Sequence, residues 1–159
     1  MKKLSLVIFC FGVVFYIGCN KSSPSNNNSC TNALPSSDSA ALLAFAGDSI
    51  IPVKDTTGLY YQILDSGSSV RPNNNSLLEV TYVGKLMNNY VFDSKVNSAL
   101  NNATLGQLII GWQIGLPKIG KGGHIRLLIP SAYAWGCTGY NGIPANQPVY
   151  FDIWLIDLK

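Results

Sequence analysis

Three stretches of this chain alternate apolar and polar residues with a period of two, and that pattern commits it to a sheet with one buried face. Over residues 78–86, Val80, Tyr82 and Leu86 fall on one side and Glu79, Thr81 and Lys85 on the other. Successive side chains of a strand point to opposite faces, so one face is buried and the other wet. Residues 124–129 repeat the pattern with Ile125, Leu127 and Ile129 inward, and residues 149–158 with Val149, Phe151, Ile153 and Leu155 inward. Residues 59–64, with Leu59, Tyr60, Tyr61, Ile63 and Leu64, read as a further strand, followed by turn-rich residues 65–69 and 72–76. Asn88 and Asn89 supply a turn before a short strand at 90–93, which makes a hairpin.

Between these strands, residues 111–119 carry Trp112, Gly115, Leu116 and Ile119 at helical spacing, and Pro117 makes the helix short or irregular. A strongly twisted antiparallel sheet wrapped over this one short helix buries all the apolar faces together, which places the fold in the α+β class. Upstream, Asp38 or Ser39 is placed to cap a short helix over residues 40–46, ended by Gly47 and serving only packing. No internal repeat and no phosphate-cradling glycine motif is present.

The start of the chain has the layout of an export signal. Met1, Lys2 and Lys3 precede an apolar run over residues 4–17 that ends at Gly18 and Cys19. A stable span takes about 20 apolar residues, so this shorter run is expected to be cleaved. Tyr16-Ile17-Gly18-Cys19 resembles the lipobox of bacterial lipoproteins, which implies that Cys19 is diacylated and becomes the first residue of the mature chain. Residues 20–37 are Ser, Asn and Pro with almost no large apolar side chains, too little to offset the entropy of ordering. The expected organisation is therefore a signal peptide at 1–18, a disordered tether at 19–37, a short helix and linker at 38–58, and one folded domain at 59–159. The lipid anchor places the chain in the bacterial cell envelope, with the domain in the periplasm or at the cell surface. Lys21, rather than Asp, two places after Cys19 favours the outer membrane.

Of the 11 basic residues, Lys2 and Lys3 leave with the signal, so nine remain against eight acidic ones. A balance so close to neutral is not built for nucleic acid. One histidine, His124, and cysteines without a CxxC spacing supply no ligand set for a metal. With Cys10 removed and Cys19 lipidated, Cys30 and Cys137 remain; an exported compartment permits them to pair, and two separate thiols are the alternative.

Several short motifs carry a functional reading when taken in order. Val80-Thr81-Tyr82-Val83-Gly84, Val91-Phe92-Asp93-Ser94, Leu105-Gly106-Gln107-Leu108-Ile109-Ile110-Gly111-Trp112 and Ile129-Pro130-Ser131-Ala132-Tyr133-Ala134-Trp135-Gly136 resemble the FKBP-type peptidyl-prolyl cis-trans isomerases. So does the ending, Gly142-Ile143-Pro144 followed by Tyr150-Phe151-Asp152-Ile153, and the resemblance spans residues 58–159. It implies that Trp112 floors a proline pocket, that Tyr82, Phe92, Leu108, Ile109 and Phe151 wall it, and that Trp135 stands where a Tyr is more usual. It further implies that Asp93 lies beside the pocket, that Tyr140 and Ile143 belong to an overhanging loop, and that the Ile109 N–H donates to a carbonyl of the bound peptide. Ala103 stands where the family commonly has Phe, which predicts a thinner wall there.

The implied activity is rotation of X-Pro bonds in unfolded or partly folded exported proteins by a monomer that needs no cofactor, with macrolides as inhibitors. The chemistry suits such a pocket. The barrier of about 18–20 kcal/mol comes from amide resonance, so no bond need break. Asp93 and the Tyr82 hydroxyl would either orient the carbonyl before the proline or offset its changing charge. A non-catalytic FKBP-fold module that binds peptides is the alternative function.

Overall fold

The computed structural model describes residues 30–159; the signal segment, the lipobox cysteine Cys19 and the first part of the tether lie outside the described residues. Six strands are described: β1 (Val53–Lys54), β2 (Tyr60–Asp65), β3 (Leu77–Leu86), β4 (Val91–Thr104), β5 (His124–Ile129) and β6 (Val149–Leu158). They form one antiparallel sheet in the order β1-β2-β5-β6-β3-β4. The alternation along β3, β5 and β6 holds, because their inward side chains meet in one core. Val80, Tyr82, Ile125, Leu127, Ile129, Val149, Phe151, Ile153 and Leu155 are all buried in it.

The helix α2 (Ile110–Gly115) lies on this face and is followed by one 3-10 turn, Leu116–Lys118. Pro117 has no N–H to continue the α-helical ladder, so the element is shorter than residues 111–119. Gly111 and Gly115 let it approach β5 closely. A Cβ on Gly111 would meet the Ile129 side chain, with Cδ1 at 2.7 Å, and one on Gly115 would meet Leu127, with Cδ1 also at 2.7 Å. Gly111→Ala is expected to push α2 off the sheet and to lower stability by about 1–3 kcal/mol, read by urea denaturation. An unchanged midpoint would show that Ile129 can yield.

The fourth strand departs from expectation. It runs through 14 residues rather than ending at Asp93, and it is interrupted by bulges. Leu77 to Glu79 of β3 faces Ala99 to Thr104 of β4, so a step of two on one strand matches a step of five on the other. Near the middle Asn97 adopts a φ of +41°, and its N–H donates to Thr81 Oγ1 at 3.0 Å. Bulges reverse the face on which later side chains emerge, which removes the period-two signal from residues 94–104.

The opposite face of the sheet is not simply wet. Helix α1 (Ser39–Ala46) covers part of it, and Leu42, Ala46 and Ile50 join Tyr60, Leu128 and Tyr150 in a second buried cluster. Gly47, with φ +50°, ends the helix. Asp38 occupies the N-cap position but makes no capping bond, although such a bond is typically worth about 1 kcal/mol. Its carboxylate is engaged elsewhere. His124 is half-buried on this side, stacked on Trp154 with ring centroids 3.9 Å apart and paired with Asp152.

Residues 30–37 differ from the disordered tether that their composition suggests. Cys30 and Cys137 form a disulfide with a Cα–Cα distance of 5.6 Å, and Pro35–Asp38 is a 3-10 turn against the domain. Tertiary bonds supply the ordering that local apolar content does not. No described helix is long and apolar enough to cross a membrane.

Asp55, in the turn between β1 and β2, accepts a hydrogen bond from Lys118 Nζ at 2.7 Å. That bond, followed by one from Thr57, holds its carboxyl down to about 2. Because the folded value lies below the unfolded one, the contribution is complete above about pH 4 and is lost as pH falls through about 2. Wild type is therefore expected to lose more stability than Asp55→Asn over that window in acid titrations of unfolding. Parallel curves would remove this ion pair from the account.

Candidate active site

A hollow of about 130 Å³ opens at the surface between α2 and the sheet, lined by Tyr82, Asp93, Leu100, Leu108, Ile109, Trp112, Trp135 and Phe151. This is close to the ~150 Å³ of apolar cavities that admit a benzene-sized ring. Most of the lining residues come from elements whose position is set by the core, and Trp135 comes from the loop after β5. Trp112 stands on α2 beside the glycine face, Tyr82 on β3, and Phe151 on the central strand β6, across from Gly84 and Leu127. Leu108 and Ile109 form the turn entering α2.

Three rings make the floor and back wall. Trp112 meets Phe151 edge-on at 5.2 Å and Tyr82 edge-on at 5.2 Å, and Tyr82 lies 5.9 Å from Phe151. Edge-to-face contacts of this kind fix ring orientation beyond what area burial does. All three side chains are nearly buried, Trp112 at 4% exposure, yet each contributes surface to the hollow. The indole Nε1 of Trp112 is buried without a partner among the described residues.

Phe92 does not line the hollow. It backs the wall, meeting Phe151 edge-on at 5.5 Å and Trp135 edge-on at 5.6 Å. Gly84 makes this possible, since a Cβ there would come within 2.7 Å of Phe92 and 2.8 Å of Phe151. Tyr140 also stands outside, stacked on Trp135 at 5.9 Å and more than half exposed, while Ile143 is buried in the core. The two exchange backbone hydrogen bonds of 3.0 and 2.8 Å that close the overhanging loop.

Leu100 is the lining residue that sequence reasoning missed. The wall expected to be thinned at Ala103 is supplied by Leu100, and Ala103 lines a neighbouring hollow with Leu77, Leu78, Ala99 and Leu158. The offset between β3 and β4 carries Leu100 into place, and a spacing count from Phe92 has no means of registering it.

The polar groups are few and specific. The Tyr82 hydroxyl donates to Asp93 Oδ2 at 2.6 Å. Burial, reinforced by the bond to Asp93 and its negative charge, pushes the phenol far above its ordinary range, so it remains protonated. A phenol has one proton, and here it is committed to the carboxylate. Tyr82→Phe keeps the ring packing and removes this bond, with an expected loss of about 1 kcal/mol in urea denaturation, since Asp93 is exposed at the rim. No change would mean that solvent replaces the hydroxyl without penalty. Among the described residues, nothing accepts a hydrogen bond from the Ile109 N–H, which precedes the first turn of α2.

An aromatic hollow for one small ring, with a backbone donor and a single carboxylate at its rim, has the size and lining to accept a cyclic side chain. The chain belongs to the FKBP-type peptidyl-prolyl cis-trans isomerase family, whose model matches residues 68–156. It is 38% identical over 105 residues to the FKBP-type peptidyl-prolyl cis-trans isomerase FkpA of Escherichia coli, a match covering 65% of this chain and 39% of that protein. It is 39% identical over 92 residues to FK506-binding protein 1 of Saccharomyces cerevisiae, covering 55% of this chain and 81% of the relative. Among solved structures, Escherichia coli FkpA superposes with a TM-score of 0.66 at 33% identity, covering 79% of this chain and 59% of that one. A peptidyl-prolyl cis-trans isomerase of Pseudomonas syringae superposes with a TM-score of 0.62 at 30% identity, covering 77% and 96%. The chain thus spans about two-fifths of the length of its Escherichia coli relative.

Proposed function

We propose that this chain is a peptidyl-prolyl cis-trans isomerase acting on unfolded or partly folded exported proteins. The observation that carries the reading is that the Trp112 indole, although packed in the core at 4% exposure, still lines an open hollow. A pyrrolidine ring fits against Trp112, Phe151 and Tyr82, with Leu100, Leu108 and Trp135 around it. Rotation about the imide removes resonance and weakens the dipole, so a dry apolar surround favours the twisted amide over the planar one. The free Ile109 N–H donates to a peptide carbonyl and fixes the chain while the imide turns.

Asp93 acts through charge. A carboxylate and a carbonyl oxygen are both acceptors, and the Tyr82 proton is already given to Asp93, so neither group donates to the substrate in this arrangement. Twisting leaves the carbonyl carbon more electron-poor, and a carboxylate held in place by Tyr82 offsets that change. Phe92 and Tyr140 act by holding Phe151 and Trp135, with Ile143 closing the loop from beneath.

Export to the bacterial envelope on a lipid at Cys19, with retention at the outer membrane, accords with the N-terminal sequence and with a Cys30–Cys137 bond, which persists in oxidising compartments. The domain then works in the periplasm or at the cell surface as a monomer, and macrolides that mimic the prolyl ring compete for the same hollow. The test is refolding of a protein limited by a slow proline step, with the chain from residue 20 added in catalytic amounts. The slow phase should accelerate, and Phe151→Ala should remove most of the acceleration. A slow phase indifferent to the wild-type protein would refute the enzyme, and tight peptide binding without acceleration would leave a binding module in its place.

A further inference from the structure

Residues 30–38 grip both ends of the loop that carries Trp135. At one end Ser131 is completely buried, and its N–H and its hydroxyl both donate to Asp38 Oδ2, each at 2.7 Å. At the other the Cys137 N–H donates to Asn32 Oδ1 at 2.9 Å, and Cys137 is joined to Cys30. The bonds inside the loop are local: Tyr133 N–H to the Pro130 carbonyl, and the Ala134 and Gly136 N–H groups to the Ser131 carbonyl. Bonds of that kind close a turn without fixing where the turn sits on the domain. Its place is fixed by longer-range contacts: the Tyr133 hydroxyl donates to the Thr57 carbonyl at 2.8 Å, the Asn146 N–H donates to the Gly136 carbonyl at 2.7 Å, Trp135 meets Phe92 edge-on, and residues 30–38 hold both ends.

Two further observations separate this strap from ordinary packing. Asp38 precedes α1 at the position from which it would cap the helix, yet its carboxylate serves Ser131, 93 residues away, and the helix goes uncapped. Trp135 is the only residue of 131–137 that lines the hollow, and it stands between that hollow and a shallower groove bounded by Cys30, Asn32 and Cys137. The strap therefore lies directly behind the wall. It also lies outside residues 68–156, the stretch that matches the family.

We propose that Asp38, Asn32 and the Cys30–Cys137 bond are positioning residues for the isomerase, holding Trp135 at the width that a prolyl ring fills. The inference rests on the isomerase reading of the hollow. None of the three touches the hollow itself; they act through the loop. A wall held in place gives up no freedom when the ring enters, whereas a released wall must be ordered by the substrate. Release thus weakens binding of the ground state and the transition state alike, so KM rises while kcat is little changed.

The experiment uses the chain from residue 20, a short chromogenic peptide with Leu before its proline, and amide exchange at Ala134 and Gly136. Asn32→Ala and Asp38→Ala leave the disulfide in place, and Cys30→Ser with Cys137→Ser removes it. Each is expected to raise KM by about three- to tenfold with kcat within about twofold, and to speed exchange at both amides. Asn32→Asp and Asp38→Asn, which keep an acceptor oxygen, should restore most of the KM. Faster exchange with a wild-type KM would overturn the proposal, because the strap would then be structural only; unchanged exchange would overturn it too. Should the wild-type protein bind the peptide without turning it over, the isomerase reading falls. The affinity of that peptide for the same variants, read with the exchange rates, then decides the strap on its own.

Discussion

Replacing Trp112 with Ala is expected to lower kcat/KM on proline peptides by about 5- to 30-fold. The prolyl ring has three methylenes, each worth about 0.8 kcal/mol when fully removed from water, and in the proposed pose the indole, which lines the hollow, supplies the floor of that contact. Losing half or more of it forfeits about 1–2 kcal/mol, which sets the factor. The same substitution strips Tyr82 and Phe151 of the ring they meet at 5.2 Å, so stability should fall by about 3–5 kcal/mol. Trp112→Phe separates the two effects, since it keeps an aromatic surface and most of the packing. A protease-coupled peptide assay beside urea denaturation reads both quantities. If folded Trp112→Ala turned over peptide within about twofold of wild type, the indole would not be the floor on which the imide rotates.

Removing the Cys30–Cys137 bond is expected to be the largest single loss of stability open to a surface change in this domain. The two cysteines are 107 residues apart, and closing a loop of that size restricts the unfolded chain by about 4.7 kcal/mol in the chain-entropy account. Cys30→Ser with Cys137→Ser should therefore unfold at a markedly lower urea concentration, and wild type should converge on it when reductant is added. Equal midpoints in oxidised and reduced protein would mean that the native state gains as much by relaxing as the unfolded chain gains in freedom. The expected loss concerns the unfolded state, whereas the strap's effect on KM concerns the folded one. Asn32→Ala probes the second without the first.

These two residues sets were legible to different degrees. Trp112 could be found because its motif is local, with the indole, Gly111, Ile109 and Leu108 adjacent in the chain and Leu116 and Ile119 at helical spacing behind them. Phe151 and Tyr82 were legible because a period of two puts them on the buried face of β6 and β3. Leu100 was not, since the three extra residues by which β4 outruns β3 between Ala99 and Thr104 leave no periodic trace. The allocation of the Tyr82 proton to Asp93 was equally hidden, because the two are 11 residues apart and meet only once β3 and β4 pair.

Local pattern was enough to establish the antiparallel sheet, its inward residues and the short helix with its tryptophan, since strand and helix periodicity are properties of neighbouring residues; the aromatic inventory of the pocket came from the resemblance to the family. Which aromatics face the hollow and which only brace it, where the strap crosses, and that Asp38 leaves its own helix for Ser131 were settled by tertiary structure. Each depends on a contact between residues far apart in the chain, and its energy has no counterpart in the local sequence until the sheet has closed.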